Sequence, residues 1–411
     1  MTKKVRVWSL VLAVLMVISV LAACGSDEAT PPAASPSQTE QNGGANGDVT
    51  EITEVTIGVL APLTGNVAQF GVAVYQGLAL YVEQFNAQGG LYINLEVFDE
   101  EGQAALGVAG YHELMDRGVD AIIGAVTSGV TMAVVPLSYE DNMPMITASS
   151  THYNVTVDAN TGQVFTNMFR SCFIDPFQGY VMANFAAEVV GAETVAILYN
   201  NEIDYSIGLM EAFVEQAAVL GLEVVAVETF QTDAVDFRGQ LTNIAAQNPD
   251  ALFVPEYFRS VALVGPQSVA AGLDTVLLGA DGWATILDMM DDPSSIEGAY
   301  FLTGFSPDVD DPRVQEFIED YVARWGAAPN MFAAQGFDAA MILINAIEEA
   351  LAMGYNPNDV VAWRAAVIAQ MSATDLTGVT GHITFDDKNN PQKTAVIKHI
   401  VNGQEVFWGY F

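Results

Sequence analysis

Between Val55 and Asp281 the chain alternates between short apolar runs and longer stretches of helical periodicity. The runs "VTIGVL", "INLEVFD", "VDAIIG" and "MPMITAS" are separated by two long helical patterns and a shorter one at about 129–141. The pattern restarts after residue 170, with "TVAILYN", "LEVVAVE", "DALFVPE" and "TVLLGAD" each preceded by a helical stretch, at 176–190, 206–220, 237–248 and 261–272. These runs are almost continuously apolar rather than alternating in and out. Strands read this way when helices cover both faces of a parallel sheet. The expected fold is therefore α/β, with two successive doubly wound units and no evident internal sequence repeat. A length of 411 residues suits two lobes better than one core.

A helix-rich block follows from about Tyr300 to Gln370, and the chain ends in alternating strands around turn residues. The block is expected to return to the first lobe and the last strands to the second. That gives an N-terminal lobe of 54–171 plus 301–377 and a C-terminal lobe of 172–300 plus 378–411. Ligands of open α/β sheets sit beyond the carboxyl ends of the strands. Two such sheets facing each other make an interlobe cleft.

The first 23 residues read as a signal. Lys3, Lys4 and Arg6 precede an apolar stretch at 7–20 that is short for a membrane span. It ends in "LAAC", where Ala22 and Ala23 before Cys24 resemble the lipobox of bacterial lipoproteins. Residues 24–53, rich in Pro, Ser, Gly and Asn, read as a lipidated cysteine and a tether without apolar periodicity. The expected location is extracytoplasmic, anchored to the bacterial membrane through lipid on Cys24. Cleavage there takes three of 13 basic residues, leaving 10 against 50 acidic and a net charge of −40. Nucleic acid is not expected as a partner, because its binding needs Lys and Arg to release counterions. Cys172 is then alone in "FRSCFID" and reads as a small buried hydrophobe.

The loops after the strands carry a consistent chemistry. "IIGAVTSGVT" runs from a buried strand through Thr127 and Ser128 into a helix, which makes an anion cradle. It lacks the lysine of a nucleotide-binding P-loop and does not match a hydrolase elbow. Thr131, Ser149, Ser150 and Thr151 add hydroxyls. In the second unit the strand ends carry Asp204, Tyr205, Glu256, Tyr257, Asp281 and Trp283, with Arg259 as the only fixed cation near these loops. Neutral donors facing an acid across a gap suit a zwitterion, with helix N–H groups and hydroxyls on a carboxylate and an aspartate on an ammonium. The expected ligand is an amino acid. Helix capping and turn formation would use the same residues.

From Val55 onward the sequence resembles the periplasmic-binding proteins of ABC importers, in the branched-chain (leucine/isoleucine/valine) amino-acid-binding group. The resemblance rests on "IGVLAPLTGNVAQFGVAVYQG" with "FNAQGG", and on "DAIIGAVTSGVTMAVVP", "PMITASSTH" and "LLGADGW". It implies two Rossmann-like lobes with mostly parallel sheets, a three-segment hinge and closure on the ligand. It implies carboxylate binding at Ser128, further head-group contacts at Ser149 and Thr151, and an ammonium partner at Asp281, where many relatives carry Glu. Tyr205, Tyr257 and Phe70 match contact positions, and the group's small disulfide has no cysteines here. The ligand side chain is expected to meet Phe70, Tyr205, Tyr257 and Trp283, with Phe332 and Phe337 nearby. The implied partners are an amino acid, the membrane subunits of an ABC permease and the membrane itself. The chain is expected to act as a monomer.

No cofactor and no metal are expected. His112, His152, His382 and His399 show no paired metal spacing, and "DDKNN" lacks the glycine and final Glu of a calcium loop. Acid pairs such as Asp291–Asp292 read as solvated turns rather than glycosidase carboxylates. An exported hydrolase would need a nucleophile–base pair, which the sequence does not offer. The same fold used as an amino-acid sensor is the other alternative.

Overall fold

A computed structural model describes residues 53–411. The signal, Cys24 and almost all of the tether lie outside the described residues. The first half runs β1 (Glu54–Ala61), α1 (Ala68–Ala87), β2 (Tyr92–Asp99), α2 (Ala104–Asp116), β3 (Ala121–Ile123), α3 (Ser128–Glu140), β4 (Met145–Thr147) and β5 (Met168–Arg170). These strands form one sheet in the order β2-β1-β3-β4-β5, parallel throughout. β5 was not legible in the sequence: its three residues, Met-Phe-Arg, are too few to show a period.

The second half runs α4 (Asp175–Phe185), β6 (Thr194–Asn200), α5 (Asp204–Leu220), β7 (Glu223–Phe230), α6 (Arg238–Ala245), β8 (Ala251–Phe253), α7 (Phe258–Ala270), β9 (Val276–Gly279) and β10 (Tyr300–Thr303). Three helices follow, α8 (Pro312–Trp325), α9 (Met331–Ala352) and α10 (Val360–Ser372). The chain ends in β11 (Asp375–Gly378), β12 (Gly381–Thr384), β13 (Val396–Val401) and β14 (Gln404–Tyr410). The second sheet has seven strands in the order β14-β13-β10-β9-β8-β6-β7. β6 to β10 are parallel, while β13 and β14 add an antiparallel edge. β10 thus places 301–303 in the larger sheet, beyond the crossing expected at 300/301. β11 and β12 form a separate hairpin.

The central strands are short but wholly buried: Ala121, Ile122 and Ile123 in β3, and Ala251, Leu252 and Phe253 in β8, expose nothing. That burial explains their unbroken apolar sequence. α8 and α9 pack on α1: Tyr321 donates to Gln76 at 2.6 Å, Gln84 to Asp320 at 2.7 Å, and Arg324 pairs with Glu83 at 2.8 Å. α1 and α9 meet backbone to backbone at two glycines. A Cβ on Gly77 would lie 1.9 Å from the Ala333 carbonyl, and one on Gly336 would lie 2.3 Å from the Val74 carbonyl. The buried Asp338 of α9 holds the β11–β12 hairpin by accepting from the amides of Val379 and Thr380 at 2.8 and 2.9 Å.

Candidate functional site

Beyond the carboxyl ends of the strands, the two sheet bodies face each other across a narrow, nearly closed cavity. Its wall brings together Phe70, Ser128, Ser149, Tyr205, Tyr257 and Asp281, with Val126, Thr127, Gly282 and Phe332. The cavity's free space is about 10 Å3, room for roughly one water, so the two bodies must part to admit anything larger.

One side is built by β3 and β4. The chain leaves β3 through Thr127, extended at the cap position, into α3. The first amides of α3 have no intrahelical partners, so they present donors and a partial positive charge. The Ser128 hydroxyl oxygen accepts the His152 amide at 3.2 Å, which leaves its proton free to donate. Ser149 differs. Its hydroxyl donates to the Val126 carbonyl at 2.8 Å, so toward the cavity it offers lone pairs. Thr151 is buried behind the wall, does not line the cavity, and has an unpartnered hydroxyl.

The opposite side comes from the ends of β6, β8 and β9. Asp281 is 2% exposed. Its Oδ1 accepts from the Tyr205 hydroxyl at 2.7 Å, and the Tyr205 hydroxyl oxygen in turn accepts the Gly282 amide at 2.8 Å. Burial lifts the Asp281 carboxyl to about 6, against the pull of the Tyr205 hydrogen bond and the nearby Gln178 amide. Burial also pushes Glu256 up to about 7 and Asp175 well above the carboxylate range. Both Asp175 oxygens, Gln178 Nε2 and Glu256 Oε2 are buried without a partner. Thr151 lies near enough to lower the Asp175 pKa without donating a hydrogen bond to it, so Asp175 stands unpaired. Buried polar atoms without partners are costly, and a site that must receive a polar ligand is where they accumulate.

Aromatic rings close the remaining wall. Tyr205 stacks on Tyr257 at 4.8 Å and Phe70 on Phe332 at 4.2 Å. Phe70 of α1 also meets Tyr257 and Phe258 edge-on at 5.5 and 4.9 Å, so contacts cross from one sheet body to the other. No Lys or Arg lines the cavity.

Three sequence expectations take a different place. Trp283 is fully buried away from the cavity. It packs flat over Gly279, where a Cβ would lie 2.2 Å from the indole, and its Nε1 donates to the Val254 carbonyl at 2.9 Å. It therefore supports the loop that carries Asp281. Phe337 packs against Tyr81 and Phe317 instead of the cavity. Arg259 is exposed, and the cation beside these loops is Arg170, buried at the end of β5. Arg170 donates to the carbonyls of Ser150 and His152 at 2.8 and 3.1 Å and to the Thr156 hydroxyl at 3.2 Å. It braces, without a covalent bond, the loop in which no disulfide exists. Its single charge in a three-residue apolar strand gave no sequence signal of that role. His152 accepts the Asn154 amide on Nδ1 and caps a turn outside the cavity wall. Cys172 is buried, its thiol pushed up to about 12 by desolvation, which leaves it inert as a nucleophile.

A family model described as periplasmic binding protein matches residues 54–402. The chain belongs to that family. Among curated relatives it is similar to a Leu/Ile/Val-binding protein homolog of Brucella melitensis, 28% identical over 232 residues, or 56% of this chain. The match spans 61% of that relative's length. Among solved structures it is similar to a leucine-binding protein of Thermotoga maritima, with a TM-score of 0.78 and 29% identity over 87% of this chain and 98% of that one. It is equally similar to a branched-chain amino-acid transporter substrate-binding protein of Streptococcus pneumoniae solved with isoleucine, with a TM-score of 0.78, 28% identity and the same coverage. The likeness covers both mostly parallel sheets of this chain, between which the cavity lies.

Proposed function

We propose that this periplasmic binding protein captures a neutral, apolar α-amino acid between its two lobes and delivers it to an ABC import permease. The observation that carries the reading is the cavity itself. A helix N-terminus with a free Ser128 proton lies on one side, a buried Asp281 on the other, and no Lys or Arg lies between them. A carboxylate is met by the α3 amides and Ser128, and an ammonium by Asp281, with Ser149 completing the head-group shell. Phe70, Tyr205, Tyr257 and Phe332 surround the side chain with apolar surface and no fixed charge. Nothing in the cavity would neutralise the extra charge of Glu, Asp, Lys or Arg. The ligands for which those relatives are named or with which they were solved, leucine, isoleucine and valine, agree with that chemistry.

The first lobe comprises β1–β5 with α1–α3, α8–α10 and the β11–β12 hairpin, the second comprises β6–β10 with α4–α7, β13 and β14, and they close by rotation about three crossing segments, after β5, after β10 and around Lys393. The contacts of Phe70 with Tyr257 and Phe258 belong to the closed form. The protein acts as a monomer without cofactor or metal, catalyses no reaction, and is held outside the cytoplasm by lipid on Cys24. A thermal-shift screen of the ligand-free protein against amino acids, small amides and sugars tests the reading. Stabilisation by leucine, isoleucine or valine, growing with concentration, supports it. Stabilisation by sugars or amides alone would overturn it.

A further inference from the structure

A second, larger cavity of about 400 Å3, partly open to solvent, lies on the other flank of the strands that join the two bodies. The amino-acid cavity is built at the ends of β6, β8 and β9, whereas this one is built at β10, β13 and β14. It spans both bodies. Val314 of α8 and the hairpin residues Val379 and Thr380 form one side, and Val396 and Tyr410 of the seven-stranded sheet form the other. Lys393, in the last crossing segment, stands between them.

Lys393 is the unusual group. Each of the other cations around the cavity has an acid partner: Arg313 has Asp311, Lys398 has Asp308 at 3.4 Å, and His382 has Asp375 at 2.7 Å. Among the described residues Lys393 has no carboxylate within 4.0 Å, although the chain carries 50 acidic residues. Its ammonium donates once, to the Thr380 hydroxyl, whose own proton goes to Asp338. An ammonium has three donors, so two remain. Burial works against its charge, and Asp338 only partly compensates.

We propose that this cavity is a second ligand site that takes a small monocarboxylate with an apolar body, its carboxylate on Lys393 and its chain against Phe305, Val379 and Tyr410. A single ammonium among hydroxyls, hydrogen-bonded to Asp338 only through the Thr380 hydroxyl, suits one negative charge, and a phosphate dianion would call for more N–H donors than the wall supplies. Rotation that opens the amino-acid cavity narrows this cleft behind the hinge, so a ligand wedged here opposes opening. Occupancy therefore raises affinity for the amino acid, and linkage makes the effect mutual. The coupling rests on the amino-acid reading above; the site does not.

The test is calorimetry of the full chain with hexanoate, using hexanol as the uncharged control. Wild type, Lys393→Met and Thr394→Trp, which fills the cavity from its exposed rim, are compared. Expected are hexanoate binding at least tenfold weaker in both variants, hexanol binding unchanged by Lys393→Met, and several-fold tighter leucine binding by wild type saturated with hexanoate. No hexanoate heat with wild type, equal affinity in all three proteins, or competitive displacement of hexanoate by leucine would overturn the site. Leucine affinity unmoved by hexanoate would overturn the coupling. Failure of leucine to bind in the absence of hexanoate counts against the amino-acid reading alone, because the Lys393→Met comparison still decides the site.

Discussion

Tyr205 holds Asp281 in place: its hydroxyl donates to Oδ1 at 2.7 Å while accepting the next amide in the loop, that of Gly282, at 2.8 Å. The acid that would read an ammonium is thus fixed before any ligand arrives, on a loop backed by Trp283. Preorganisation of this kind lowers the ordering cost of binding.

Removing the charge of Asp281 should be costly. Asp281→Asn keeps the shape and leaves the bound ammonium without its counter-charge. The expected loss in leucine affinity is about 3–5 kcal/mol, the scale of breaking a buried pair from one side. Ser128→Ala should cost less, about 1–3 kcal/mol, because the α3 amides remain. Calorimetry of the two variants checks the ranking as well as the sizes.

Binding should depend on pH through the same carboxyl. Burial raises Asp281 from 3.8 to about 6. In the ligand-free protein its contribution to stability is therefore fully present below pH 3.8 and is lost as the pH rises through about 6. An ammonium ligand needs the ionised form, so affinity falls as the pH drops below about 6, approaching tenfold per unit, with proton release on binding near that pH. The Tyr205 hydrogen bond lowers this pKa, so Tyr205→Phe should move the midpoint of the profile upward. A flat leucine-affinity profile between pH 4 and 7 would count against Asp281 as the ammonium partner.

The α1–α9 contact predicts a stability effect far from the cavity. Gly336→Ala places a methyl 2.3 Å from the Val74 carbonyl, and neither helix backbone can yield locally. The expected destabilisation is about 1–3 kcal/mol or more, as for other overpacked cores. Gly239→Ala, in α6 with open space around it, should leave the melting temperature unchanged or raise it. Thermal unfolding of both variants separates a packing requirement from a general intolerance of change at glycine.

Cys24→Ser tests the anchor. With the lipid absent, the protein should leave the membrane fraction and appear in solution outside the cytoplasm, since acyl chains bind at about 0.8 kcal/mol per buried CH2. Retention of the variant in the membrane would mean that the apolar stretch at 7–20 holds the protein there.

Most of this architecture is readable in the sequence because parallel strands covered on both faces must be apolar throughout. β6 and β8 announce themselves in "TVAILYN" and "DALFVPE". β5 and β10 do not, because a strand of three or four residues shows no period of its own and is fixed by its neighbours in the sheet. The loop positions of Ser128, Tyr205, Tyr257 and Asp281 follow from the strand ends, and all four side chains reach the cavity wall. Trp283 shows the limit of that argument. Chain position put it at the cavity, but the bare surface of Gly279 and the Val254 carbonyl turn its ring into the core. Arg170 shows the complementary limit, since an arginine in an apolar run does not reveal that loop carbonyls will surround it.

The most direct test of the zwitterion account is calorimetry of the ligand-free Lys393→Met protein, which keeps the amino-acid cavity but loses the second carboxylate site, with three molecules of one shape. Leucine carries both charges, isocaproate lacks the ammonium, and isoamylamine lacks the carboxylate. With Asp281 on one side and the α3 amides with Ser128 on the other, leucine should bind at least a hundredfold more tightly than either analogue, a difference of about 2.7 kcal/mol or more. Isocaproate binding in the amino-acid cavity as tightly as leucine would contradict the account, because Asp281 would then not be reading an ammonium.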